Sequence, residues 1–535
     1  MDFFLFDQSN IPQDFLFQGY CFIDTDYIAG ESGALGYMAE TGKKILSGHD
    51  GCYFWGNPLG DGYQFGSDFQ GNSRIYLYQR EERWAISNSF GKLLDHIRKN
   101  EWPFSICSHQ LDSWRIRSPF GQQPSSFKTA INEISLVPSW CEVSVNGDGA
   151  KITHRKYQGQ FESYASAVSH YVGIWSGRIS TLSSDEDICV SVDVSGGVDS
   201  RVNLALILKM REKGIGGNIR FSSLKYGGVK GDFEVALRLA EKYRFPLNDR
   251  KSKSDYSLST DEALQCTDDF LIGSYTSLRP FRTKPNPLSV KIGGGAGEIF
   301  RPFFADSFSD EFLDKLRGSF SSDKFFANWK ADVVDAMETL RVRDPGKTDP
   351  LILHYREFRS RFHTGGAANM VTAAMPFQSR AAYEIAWTAT GSQIKDGQIG
   401  YDLIGATFPQ LLVDDYDHPG KKPTQRNLDN IFPEIDFDAR PGRVYVDKNH
   451  DPAPNSESLS DFLKKYYEVF GEKIRDWPMV EKLSANDIIR SSLETGRLPR
   501  PPEGASLHRL KLAVKIEELC ASRRSNSGEL ELSDL

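Results

Sequence analysis

The stretch Ser195-Gly196-Gly197-Val198-Asp199-Ser200 decides what the rest of the chain means. It follows a β-branched run, Ile188-Cys189-Val190-Ser191-Val192-Asp193-Val194, of the kind that forms a strand buried on both faces. It precedes Val202, Leu204, Ala205, Leu206, Leu208 and Met210, apolar positions of a helix that Gly214 ends. Strand, tight polar turn and helix together make a place to hold phosphate. Two glycines let backbone N–H groups approach an anion with no Cβ in the way. The positive end of the helix points at the same spot. Ser195 and Ser200 add hydroxyl donors, and Asp199 suits a magnesium ion bridging phosphates. The plain alternative is a turn in which Gly, Asp and Ser merely cap a helix. No GxxxxGK[ST] occurs, so the loop is not of the Walker type.

Working outward, Ile219–Leu224 predicts the next strand and 232–243 the next helix. Leu288–Ile292 predicts a third strand that again runs into glycines. Alternating strands and helices imply an α/β domain with a parallel sheet. Residues 310–415 are expected to be mainly helical, 416–458 loops, and 459–522 helical again. The segment before about 155 is expected to be mostly β. Its alternating pieces, such as Arg74–Tyr78 and Trp84–Ser87, lie between Gly/Asn/Asp clusters, and Glu142–Val145 runs into an Asn146-Gly147 turn.

Composition narrows the field. The 535 residues are 39% hydrophobic and 25% charged, with a net charge of −8, an ordinary globular balance that argues against a broad nucleic-acid footprint. No apolar run approaches the roughly 18 residues of a membrane span, and the start MDFFLFDQSN lacks the features of a secretory signal. Seven widely spaced cysteines form no CxxC pair, and ten histidines show no HExxH spacing. Disulfide scaffolds and the usual zinc motifs are thereby excluded, and a cytoplasmic setting is expected.

The loop, its strand and its helix resemble the pyrophosphate-loop signature SGG(V/L)DS of ATP-pyrophosphatase enzymes, and more specifically the synthetase domain of the asparagine synthetase family. Phe221–Leu224 with Phe233-Glu234 and the helix 235–240 is similar to that family's second strand and helix. Leu288–Phe300 is similar to its GEGADELF segment, and Met375-Pro376-Phe377 to its VPFLD segment. Asp68–Gly71, Tyr76–Tyr78 and Ile86–Phe90 resemble the class II glutamine amidotransferase domain that precedes it. The resemblance implies an Ntn-like β-rich sandwich over 1–158, a parallel-sheet, adenine-nucleotide α-hydrolase-like domain with a helical C-terminal part over 159–522, and an acidic tail over 523–535. It implies ATP and Mg2+ as cofactors. Ser195, Gly196, Gly197, Val198, Asp199, Ser200, Ser222, Leu224, Gly293 and Gly294 would hold nucleotide. Asp199 and Glu298 would hold metal, and Glu298 with Lys421 or Lys422 would serve catalysis. For the lysines, an exposed loop pair is the plain alternative.

The departures shape the expected activity. Position 2 is Asp2, where the glutaminase half of the family exposes a nucleophilic cysteine, and no processing makes Cys21 N-terminal, so this domain is expected to fold without hydrolysing glutamine. Gly294 and Gly297 stand where the family presents carboxylates, Thr372 replaces another acidic residue, and Gln378 or Ser379 replaces the final Asp. Arg301 is either a surface arginine or a binder of substrate carboxylate or phosphate, while His170, Met370 and Met375 are expected in the core. The expected activity is an AMP- and pyrophosphate-forming amide ligase that adenylates a small-molecule, sugar-acid or peptide carboxylate. The amine would be free ammonia or an amine of a substrate, as in relatives that are β-lactam synthetases, lasso peptide cyclases or polysaccharide amidation enzymes. The alternative is a catalytically inactive nucleotide-binding or assembly protein. No membrane partner is expected, a nucleic-acid partner ranks third, and a homodimer stays open.

Overall fold

Cys189–Asp193 forms an inner strand of a four-stranded parallel sheet in the order Arg220–Ser222, Cys189–Asp193, Ser289–Ile292, Ala373–Ala374. Val190 pairs with Val290 and Val192 with Ile292, and all four are buried, as a strand covered on both faces requires. The computed structural model describes residues 3–155, 159–225, 231–248, 256–276, 281, 283–344, 348–448, 462, 465, 511–512, 514–516 and 518–520. The chain is thus an α/β protein with mixed sheets. Asp2 and the acidic tail 523–535 lie outside the described residues.

The helix after the loop, Val198–Glu212, is buried over almost its whole circumference. It is wedged among the sheet and the helices Tyr164–Ser184 and Gln398–Thr407. Gly214, at φ +77°, takes the left-handed conformation just beyond its end. The next helix spans Asp232–Tyr243. The chain leaves the first strand toward one neighbour and later returns on its other side. The reversal places the loops after Cys189–Asp193 and Ser289–Ile292 side by side at the carboxyl edge, where open α/β sheets bind ligands. Ala373–Ala374, the fourth strand, is too short to leave any periodic trace in the sequence.

The N-terminal part contains a seven-stranded and a four-stranded sheet. The expected strands appear as Tyr76–Arg80, Arg83–Ser87 and Cys141–Asn146, and Asn146 turns to pair with Gly149. Phe65 and Val143 of the larger sheet share a core with Leu77 and Ile86 of the smaller. The helices Gly30–Thr41, Phe90–Lys99 and Ser108–Ser113 interrupt this β-rich region, and Ser89 caps Phe90–Lys99. The seventh strand of the larger sheet is Val444–Val446, which lies parallel to Asp26–Ala29. A segment expected as loop, from the far end of the chain, therefore completes the N-terminal sheet.

Buried polar contacts lock the two parts together. Tyr20 donates its hydroxyl to the Ala373 carbonyl at 2.8 Å and accepts from the Ala373 N–H at 2.9 Å. Asp50 accepts from Arg178 at 2.6 Å and from the Arg380 N–H at 2.7 Å. Glu357 takes Arg361 at 2.8 Å and Arg343 at 3.4 Å, and accepts from Ser139. Among the described residues, no helix is long and apolar enough to cross a membrane.

Candidate functional site

At the carboxyl edge of the parallel sheet opens a cleft of about 1010 Å³. Ser195, Gly197, Val198, Asp199, Ser200, Ser222, Leu224, Gly294, Glu298 and Lys421 all line it. Gly196, Gly293 and Lys422 do not. Gly196 is glycine for a packing reason: a Cβ there would meet the Asp417 backbone nitrogen at 2.6 Å. Gly293 extends the sheet, donating its N–H to Ala374 and accepting from the Asn203 side chain at 2.8 Å. Lys422 reaches outward to Asp415 at 3.5 Å.

The loop is held by hydrogen bonds of its own. Ser195 and Ser200 share one between their hydroxyls at 2.8 Å. The Gly196 N–H donates to Asp232 at 2.9 Å, and the Gly197 N–H to the Ser195 hydroxyl at 3.2 Å. Lys421 binds Asp417 at 2.6 Å, and Asp417 in turn donates its N–H to the Gly196 carbonyl. The lysine loop and the glycine loop are therefore braced against each other.

Gly294 and Gly297 have close neighbours where a side chain would go. A Cβ on Gly294 would lie 2.9 Å from the Ser200 backbone nitrogen, and one on Gly297 would coincide with the Asp199 carboxylate. Asp199 thus occupies the space a side chain at 297 would need. Arg301 closes the cluster, bonding Asp199 at 3.0 and 3.3 Å and Glu298 at 2.9 Å. It is not a plain surface arginine. Its guanidinium spans the two carboxylates expected to hold metal. Tyr355 donates its hydroxyl to the other Glu298 oxygen at 2.9 Å, and it stands at the start of a π-helical turn, Tyr355–Ser360. Burial raises the Asp199 carboxyl, and Arg301 only partly offsets this. Burial also acts on Glu298, but Arg301 and the Tyr355 hydroxyl outweigh it and hold that carboxyl below the ordinary range. Burial would lower Arg301, yet the two carboxylates raise it further, so it stays charged.

Several cleft residues were not foreseen from the sequence. Lys291 pairs with Asp193 at 2.8 Å, and Ser222 donates to the same Asp193 at 3.0 Å. Asp232, Tyr401 and Lys395 also face the space. Lys291 is registered opposite Ser191, two residues before Asp193 on the same face, and only the parallel register brings the pair together. The lining carries six carboxylates (Asp193, Asp199, Asp232, Glu298, Asp306, Asp396) and four cations (Lys291, Arg301, Lys395, Lys421). A polyanion entering such a lining needs an accompanying cation.

The N-terminal cysteines are placed differently. Cys21, Cys52, Cys107 and Cys141 are all buried. Cys21 lies inside the strand Leu16–Ile23, and burial pushes its thiol up. His170 is half-buried against Phe161, with its imidazole lowered by burial. Met375 packs on the main core and Met370 on the N-terminal one, as expected. No protein-family model and no curated protein matches the sequence.

Proposed function

We propose that the chain is an ATP-dependent, AMP- and pyrophosphate-forming amide ligase of the asparagine synthetase type, with an Ntn-like N-terminal domain and a pyrophosphate-loop domain. The observation that carries this reading is the position of Ser195–Ser200: a glycine loop and helix start at the reversal point of a parallel sheet, opening on a nucleotide-sized cleft. Ser195, Ser200 and the start of the helix face the phosphates. Ser222 and exposed Leu224, on the neighbouring strand end, face the base and ribose. Lys421 stabilises charge on the departing pyrophosphate.

The residues also suit magnesium once Arg301 leaves Asp199 and Glu298, and the excess of carboxylates in the lining favours a cation-bearing nucleotide. When bound, the ion neutralises phosphate charge. The carboxylate substrate attacks the α-phosphorus, pyrophosphate departs, and an amine then expels AMP from the acyl group. That amine comes from solution or from a substrate, because Cys21 is sealed in a sheet.

The test is ATP–pyrophosphate exchange across small carboxylates, sugar acids and peptides. Exchange with at least one acid is expected, falling about 100-fold or more in Asp199→Asn. Nucleotide binding with no exchange for any acid would instead favour the second reading, a non-catalytic nucleotide-binding or assembly protein. The Arg301 bridge supports that reading, since it puts a guanidinium where a metal would stand.

A further inference from the structure

The sequence contains no linear zinc motif, yet the fold assembles a set of ligands that shares no residue with the cleft. Cys107, His109 and Asp332 bring Sγ, one imidazole nitrogen and one carboxylate oxygen within 4.8 Å of one another. His109 Nε2 lies 2.8 Å from Asp332 Oδ2 and 3.4 Å from Cys107 Sγ. Cys107 Sγ is also 3.7 Å from His109 Nδ1, so it lies close to both ring nitrogens. In a tetrahedral zinc site, bonds of about 2.0–2.3 Å separate the ligand atoms by about 3.3–3.7 Å. To reach that spacing the His109–Asp332 contact must open, and Cys107 Sγ and the Asp332 oxygen, which lie within 4.8 Å, must settle into the same range. That contact is now a hydrogen bond, with one hydrogen where a metal would sit.

We propose that these three side chains bind one zinc-class divalent ion, with water as the fourth ligand. The support around them is rigid. Cys107 is tied by its N–H to the Ala130 carbonyl at 2.9 Å, and its own carbonyl accepts from Gln110 and Leu111 at the start of the helix Ser108–Ser113. Asp332 sits on the helix Asp323–Arg343, whose neighbouring residues Trp329 and Val333 are fully buried. Gln110, itself buried, donates to Asp332 Oδ2 at 2.6 Å and to the Ser126 hydroxyl at 3.2 Å. That is the outer support which orients a ligating carboxylate. The His109 and Asp332 side chains remain 21% and 18% exposed, which leaves an approach for the ion and its water.

A thiolate with an imidazole selects zinc, cobalt or a similar ion over magnesium and calcium. On binding, the Cys107 thiol proton and the hydrogen held between His109 and Asp332 are released to solvent, and three ligand-to-metal bonds form with no change of oxidation state. The ion would pin the short N-terminal helix to the long helix 323–343, elements separated by 223 residues at the His109–Asp332 contact. This site shares no residue with the cleft, so its fate is independent of the ligase reading.

The test uses Co2+ added to the full chain, followed by absorption. One equivalent per chain should produce a thiolate-to-cobalt band, bleached by Zn2+ and untouched by Mg2+. Cys107→Ser should lose the band, and His109→Gln and Asp332→Asn should weaken Co2+ binding at least tenfold. Near-UV circular dichroism reports whether each variant folds, and the His109 and Asp332 variants decide the matter if Cys107→Ser does not. No thiolate band at one equivalent, a band that survives in folded Cys107→Ser, or unchanged affinity in both other variants would each overturn the site.

Discussion

Two clusters of arginine and carboxylate face opposite demands in this molecule. At the junction of the two parts, one carboxylate, Glu357, is shared by Arg343 and Arg361, and all three side chains are at most 6% exposed. At the cleft, one arginine, Arg301, is shared by two carboxylates, Asp199 and Glu298, with exposures of 18 to 35%. The first has excess positive charge absorbed by carbonyls: Arg361 donates to Gly71 and Val137, and Arg343 to Phe69. The second has excess negative charge and opens on a cavity. The chemistry is the same, but stoichiometry and access differ. A sealed cluster is structural, whereas an open cluster short of positive charge can exchange its cation for another.

The sharpest way to break this contrast is Glu357→Ala. It leaves two buried guanidinium groups without their carboxylate and should cost about 3–5 kcal/mol in urea unfolding. A loss below about 1 kcal/mol would show that the carbonyl acceptors suffice and that the junction is no tighter than the cleft.

A second prediction sharpens the structural side through pH. His354, just ahead of Glu357, is fully buried, has its Nε2 against the Ser125 carbonyl, and stacks on Phe120. Burial pushes its imidazole down to about 4. In the unfolded chain it titrates near its ordinary value of about 6.5. As pH falls from about 6.5 to about 4, the unfolded state therefore takes up a proton that the native state refuses, and stability is lost. The loss should total about 3 kcal/mol and be missing from the pH slope of His354→Gln. Equal slopes for the two proteins would mean that the native site accepts the proton.

On the cleft side, Arg301→Met removes the bridging cation. Apparent Mg2+ affinity in nucleotide binding should tighten about tenfold, about 1.4 kcal/mol, while global stability changes less than in Glu357→Ala. Weaker binding would make Arg301 a direct phosphate or carboxylate contact. The smallest effect separates the lysines. Lys421→Ala should lower turnover, whereas Lys422→Ala should stay within about 0.5 kcal/mol of wild type in stability and leave exchange unchanged. Equal loss in both would return Lys422 to the site.

Much of the site was legible because it is local. Ser195–Ser200 lies between a strand and a helix whose periodicities are plain, and Glu298 follows the next glycine-rich strand end. What the sequence hid was mostly non-local. Arg301 is three residues from Glu298, but its pairing with Asp199 crosses 102 positions. Gly294 and Gly297 read as missing carboxylates in one dimension, and in the structure a Cβ at them would meet the Ser200 backbone and the Asp199 carboxylate. Thr372 is buried between the helix Arg361–Met370 and the two-residue strand Ala373–Ala374, a signal too short for any period.

Order along the chain, the buried strands and helices, and the strand–glycine loop–helix pattern around Ser195–Ser200 were determined by the amino-acid pattern alone, because each depends on neighbours within a few turns. Which charges meet was decided by the tertiary structure. Parallel register joins Asp193 to Lys291, strand crossover sets Asp199 beside Glu298, and helix packing carries Asp332 to Cys107 and His109. Coulombic and coordinate bonds act over a few ångströms of space, and only folding converts separations of roughly a hundred residues or more into distances of that size.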